Sequence, residues 1–168
     1  MIGPTVWLRA RPVHRALART LTREVTAALL ALGQPRAEVS LTLLGDVAMR
    51  RLNRTARGID RTTDVLSFPQ AKVPGSRMLG DLVVSVAVAR REAQRRGRAL
   101  SRELRLAAIH GLLHLLGHDH HTPRELARMA AAEQRLLGET GLITRASPER
   151  ASPELRTGRA RARRRPAG

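Results

Sequence analysis

Five of the six histidines in this chain fall between His110 and His121, at the end of a segment that any fold must bury. From Leu106 to Leu116 every position is apolar or glycine except His110 and His114. A helix that is hydrophobic on all sides belongs in an interior. Its two histidines, four residues apart, share one helical face. Gly117 suits the left-handed conformation that ends a helix, because it has no Cβ to clash. The chain can turn there and return His120 towards the same point. Three imidazoles aimed at one place, with a fourth position open, is how a catalytic zinc is held.

Two plainer readings compete. A single buried histidine is ordinarily a core residue whose ring nitrogens are hydrogen-bonded. The i, i+4 pair and the third histidine at this offset shift the balance to metal. A structural zinc is the other reading, since His118 or His121 could supply a fourth ligand. Structural sites are usually closed and cysteine-rich, and this chain has no cysteine. The spacing also matches the metzincin protease pattern H-E-x-x-H-x-x-G-x-x-H at every position but one. The protease has a glutamate at its second position, as general base. Here that position is Gly111, which can neither accept nor donate a side-chain proton. Peptidase activity is therefore not expected.

The 168 residues suffice for one ordinary domain with a real core. The absence of cysteine excludes disulfides and thiolate ligands and fits a reducing compartment. Met1 to Thr20 carries Arg9, Arg11, Arg15 and Arg19 and no long apolar run. Neither a signal peptide nor a membrane span is expected, and the cytoplasm is the default location. The net charge is +17, and of 31 basic residues all but Lys72 are arginine. Such a field attracts polyanions, and arginine suits bidentate phosphate contact. A genome preferring arginine codons would explain the ratio of arginine to lysine, less easily the excess of base over acid. Trp7 and Phe68 are the only aromatics, which argues against a base-stacking platform.

Periodicity gives the elements. Thr5 to Leu8 reads as a short strand and Val13 to Leu32 as an amphipathic helix stopped by Gly33. Glu38 to Leu44 alternates as a strand, and Asp46 is placed to cap a helix through Met49 and Leu52. Thr63 to Phe68 is a strand, Gln70 to Gly80 a loop, and Asp81 to Val86 a third clear strand. Ala87 to Arg96 is a basic helix. Ser101 is a plausible N-cap for the histidine helix, with Glu103 in its first turn. Pro123 opens a last helix to about Leu137. Strands and helices without strict alternation make an α+β domain, placed at residues 1–144. From Arg145 the character changes: Ala-Ser-Pro-Glu occurs twice, and Arg156 to Arg165 holds six arginines. Without periodic apolar residues, 145–168 is expected to be a disordered, arginine-rich tail. It either adds nonspecific affinity for RNA or the ribosome, or is simply solvated.

The run from His110 to His120, H-G-x-L-H-L-x-G-x-D-H, resembles the YbeY family of bacterial endoribonucleases. Two more stretches agree in order and spacing. Leu52-Asn53 with Arg57, leading into Thr63-Asp64-Val65-Leu66-Ser67-Phe68-Pro69, is similar to the family's second signature. Leu79-Gly80-Asp81-Leu82-Val83-Val84-Ser85 is similar to its third. The likeness covers about residues 38 to 138; Ala56, Thr62 and His118 are minor departures from it. It implies a single-strand-specific, metal-dependent endoribonuclease that acts in ribosomal RNA maturation, notably at the 3′ end of 16S RNA, and in ribosome quality control. It implies one zinc per chain held by His110, His114 and His120, with His110 and Arg57 catalytic. The small ribosomal subunit or its proteins would be partners. The implied fold is a mixed sheet of about four strands with about five helices and a zincin-like three-histidine site.

Elementary chemistry is compatible with those roles. Phosphodiester cleavage builds charge on phosphoryl oxygens, which a zinc with an open site can polarise and the planar fork of Arg57 can clamp. Asp119 suits an acceptor that orients a ligand histidine; Asp64 and Asp81 could do likewise, or merely end and cap strands. No residue is assigned as general base. Two other classes remain: a metal-binding ribosome assembly factor without chemistry, and a hydrolase of another substrate such as a peptide.

Overall fold

A four-stranded sheet in the order β1-β2-β4-β3 carries the molecule. The strands are β1 (Thr5–Arg9), β2 (Glu38–Leu44), β3 (Val65–Pro69) and β4 (Met78–Ser85). β1 and β2 pair in parallel, as do β2 and β4, while β3 runs antiparallel to β4 at the edge. Five helices complete this α+β domain: α1 (Arg15–Ala31), α2 (Asp46–Arg57), α3 (Val86–Arg96), α4 (Leu100–Leu115) and α5 (Pro123–Leu137). The computed structural model describes residues 3–71, 73–118 and 122–138. His120, Asp119 and the expected tail at 145–168 lie outside the described residues.

Alternation along the strands sorts the core into two faces. Val39, Leu41, Leu43, Leu82 and Val84 join α1 and α4 in the main cluster. Leu66 and Val83 point the other way and pack with Met49 of α2. The centre of the main cluster is α4. Its Leu104, Leu106, Ile109, Leu112 and Leu113 are all fully buried, each worth about 1.5–3 kcal/mol relative to exposure. It lies against β3 and β4, with α1, α3 and α5 around it. The all-round hydrophobicity of this segment is thus answered by neighbours on every side.

Several boundaries differ from the sequence reading. The first helix is preceded by a separate 3-10 turn, Pro12–His14, with Pro12 at its first position, where a missing amide costs nothing. Asp46 is the first residue of α2 and not its cap; the cap is Gly45. The Asp46 carboxylate instead takes a bidentate bond from Arg91 of α3, 2.9 Å on one arm. That hydrogen bond holds the Asp46 carboxyl below its ordinary range. Ser101 likewise does not cap α4, which starts from Ala99. The half-buried Leu100 packs on the core and draws the start two residues earlier.

The expected loop at 70–80 ends sooner, since β4 begins at Met78. Gly80 conceals that strand start in the sequence because glycine is a weak strand former. Its φ of 143° is open to glycine, and any Cβ there would run into the backbone carbonyl of Phe68 across the ladder. A close strand approach, not a loop, explains this glycine. Thr122 and Glu125 form a capping box at the start of α5: the Thr122 hydroxyl accepts from the Glu125 amide at 3.2 Å, and the Glu125 carboxylate from the Thr122 amide at 2.9 Å. This pins the helix and fixes which of its residues face α4.

Candidate metal centre

His110 and His114 emerge from the last two turns of α4, and their Nε2 atoms lie 3.2 Å apart. The rings meet edge to face, with centroids 4.8 Å apart. Two nitrogen ligands about 2.05 Å from a tetrahedral ion stand about 3.3 Å from one another. The pair therefore has the separation that a shared zinc requires. Just beyond, α4 ends in a Schellman motif: Gly117 has φ 85°, its amide donates to the His114 carbonyl at 3.0 Å, and the His118 amide to the Leu113 carbonyl at 2.9 Å. The helix stop expected at Gly117 is found there. Among the described residues no group of three or more His, Cys, Asp or Glu side chains is arranged to hold a metal ion. The proposed third ligand, His120, is not among them.

The other ring nitrogen of His110 faces an acid that the sequence reading overlooked. His110 Nδ1 is 2.6 Å from Glu133 Oε1, and Glu133, on α5, is 5% exposed. A carboxylate only accepts, so the proton of this bond sits on Nδ1. A signal for it existed. Glu133 lies four residues after Met129 and three before Leu136, on the apolar stripe of an amphipathic helix. An acid on such a stripe needs a partner, since burying an unpaired charge is costly.

Arg57 occupies the last turn of α2, which closes at Gly58 in the left-handed conformation. Its guanidinium is exposed and reaches over the sheet edge, Nη2 donating to the Ser67 carbonyl at 3.4 Å. The Ser67 hydroxyl in turn donates to the Gly111 carbonyl at 2.9 Å, next to His110. Through β3, then, Arg57 is attached to the turn of α4 that carries the first histidine. A planar guanidinium with one N–H on a carbonyl still has others in its fork for a phosphate.

Gly111 sits where α4 packs closely on the sheet. A Cβ there would stand 2.7 Å from Val65 Cγ2 and 2.9 Å from Ser67 Oγ, and nearer still to Leu82 Cδ1. The missing protease glutamate is thus a packing requirement as well as a chemical difference. A side chain at 111 would run into β3 and β4. Asp64 is buried at the start of β3, with the Thr63 hydroxyl 3.3 Å from its carboxylate, and Asp81 is exposed in β4.

The family profile described as Endoribonuclease YbeY matches residues 9–141. A protein of that name from Myxococcus xanthus is 50% identical over 133 residues, which cover 77% of this chain and 45% of the relative. The chain thus spans less than half of that relative. One from Anaeromyxobacter is 47% identical over 133 residues, covering 79% of this chain and 69% of the relative. One from Moorella thermoacetica is 46% identical over 142 residues, covering 78% and 91%. A solution structure of a Thermotoga maritima protein superposes with a TM-score of 0.55 at 22% identity, over 79% of this chain and 89% of that one, and supports the fold alone. With the profile running from the end of β1 through α5, and with these relatives beside it, the chain belongs to the endoribonuclease YbeY family.

Proposed function

We propose that this protein is an endoribonuclease that cleaves single-stranded RNA in the maturation of ribosomal RNA. The proposal includes the 3′ end of 16S RNA and ribosome quality control, with the small subunit as partner and the cytoplasm as the place of action. No helix among the described residues is long and apolar enough to cross a membrane. The observation that carries the reading is the convergence of His110 and His114 at 3.2 Å on one side of a helix end. That separation suits one zinc per chain, with His120 as the third ligand. When bound, such an ion supplies Lewis acidity at a phosphoryl oxygen.

The chain's own groups do the rest. Arg57 grips the phosphate with its fork and holds the scissile bond beside the histidines. The +17 net charge draws the polyanion in. The test is cleavage of a single-stranded RNA by the purified protein, with and without chelator. Loss of cleavage on chelation and recovery with added zinc is the expected result. RNA binding without cleavage under any metal condition would instead make it an assembly factor.

Arg57→Ala is expected to keep metal content and folding and to lower cleavage roughly a hundredfold, the order of a phosphate clamp in a partly dry site. Arg57→Lys should rescue only in part, keeping the charge and losing the fork. Equal rates for Arg57→Ala and parent would return this residue to the ordinary surface arginines.

Residues 145–168 are proposed as an electrostatic tether. They hold eight arginines against Glu149 and Glu154, so truncation after Thr144 lowers the net charge from +17 to +11. RNA affinity at low salt should fall and its salt dependence flatten, while the rate at saturating RNA hardly changes. A collapse of the saturated rate with zinc content intact would place the tail in the active site.

A further inference from the structure

We infer that Glu133 is the positioning residue of the metal centre: it fixes the tautomer and ring orientation of His110 so that Nε2 faces His114. The inference rests on the proposed zinc site but concerns a residue on a different helix from the histidine pair. Neutral imidazole has one N–H and one lone pair, and which nitrogen holds the proton depends on its surroundings. Glu133 Oε1 stands 2.6 Å from Nδ1. With the carboxylate as acceptor, the proton is held on Nδ1 and the lone pair on Nε2. That lone pair is on the atom 3.2 Å from His114 Nε2. An unconstrained neutral imidazole favours the opposite, Nε2–H form, which presents a proton where a metal ligand needs a lone pair.

The structure makes Glu133 rigid enough for this role. It is 5% exposed, close to Met129 and Ala132, which α5 buries against the main core. The capping box at Thr122 and Glu125 sets the phase of the helix eight residues earlier. Arg105 Nη2 donates to the Leu136 carbonyl at 3.0 Å, which ties the far end of α5 back to α4. A carboxylate whose helix is anchored at both ends, bonded to the nitrogen remote from the ligand face, restricts the rotation of the imidazole and holds its tautomer.

The test uses the full chain with Glu133→Gln and Glu133→Ala. The first readout is the tautomer of His110 in metal-free protein, by long-range proton–nitrogen correlation above the imidazole titration range. The parent is expected as Nδ1–H, and Glu133→Ala as largely Nε2–H. The second is zinc affinity by competition with a chromophoric chelator, where Ala should bind about 10- to 100-fold more weakly and Gln by a smaller factor. Melting temperatures of the metal-free variants show that folding is kept; Gln, of nearly the same shape, carries the test if Ala does not fold. Unchanged tautomer and unchanged zinc affinity in a folded variant overturn the inference. A parent that binds no zinc but shows Nδ1–H, lost in Glu133→Ala, upholds the positioning role and overturns the metal site instead.

Discussion

A chain carrying both His110→Ala and His114→Ala is expected to bind no zinc and to cleave RNA at the rate of its buffer. Zinc sites in small proteins are worth about 10–16 kcal/mol near neutral pH, shared among three or four ligands. Losing two of three therefore weakens binding by at least roughly ten-thousandfold, at 1.4 kcal/mol per factor of ten. Only His120 would then remain of the proposed set. The double variant also leaves the buried Glu133 without its imidazole, at a cost of about 1–3 kcal/mol. His114→Ala alone keeps the His110–Glu133 bond and is the cleaner control for folding. Elemental analysis of metal-supplemented protein decides the matter. A double variant with the parent's zinc content would show that the metal sits elsewhere, and the i, i+4 pair would return to being core histidines.

The part of this centre that a reader of the sequence can find is the part written in one segment. His110 and His114 share a face because helical spacing puts them there, and Gly117 ends the helix because only a residue without a Cβ takes φ 85° cheaply. Both are local consequences of local sequence. The strand β2 was legible for the same reason, through alternation, and β3 was found with its bounds shifted, from Thr63–Phe68 to Val65–Pro69. Glu133 was not, because its partner lies 23 residues away and nothing in α5 alone says which helix it will face. Arg57 by itself reads as one arginine among many, and only the family resemblance singled it out; its contact with Ser67 depends on how α2 packs over β3. Ser101 and Asp46 show the opposite failure: each has the chemistry of a cap, and tertiary contacts moved the helix start or claimed the carboxylate. Gly80 misled for a third reason, since a glycine that permits strand contact and one that makes a loop look alike in sequence. Local rules located the histidine helix, and long-range packing decided what surrounds it.

Restoring the protease glutamate by Gly111→Glu is expected to unfold the domain and to yield no peptidase. In an exposed helix, replacing glycine by alanine would stabilise by about 1 kcal/mol. At position 111 that gain is opposed by contacts at 2.7 Å with Val65 and 2.9 Å with Ser67, and a tighter one with Leu82. Overpacking of this kind costs about 1–3 kcal/mol, so even Gly111→Ala should melt lower than the parent, by a few degrees. It should also disturb the bond from the Ser67 hydroxyl to the Gly111 carbonyl, and with it the attachment of Arg57 to α4. Glutamate adds a charge driven between apolar side chains of β3 and β4, a further several kcal/mol. Thermal denaturation of the two variants and a casein assay on whichever stays folded make the comparison. A Gly111→Ala protein that melts higher than the parent would mean that α4 has room to move from the sheet. The absence of a side chain at 111 would then have a reason other than packing.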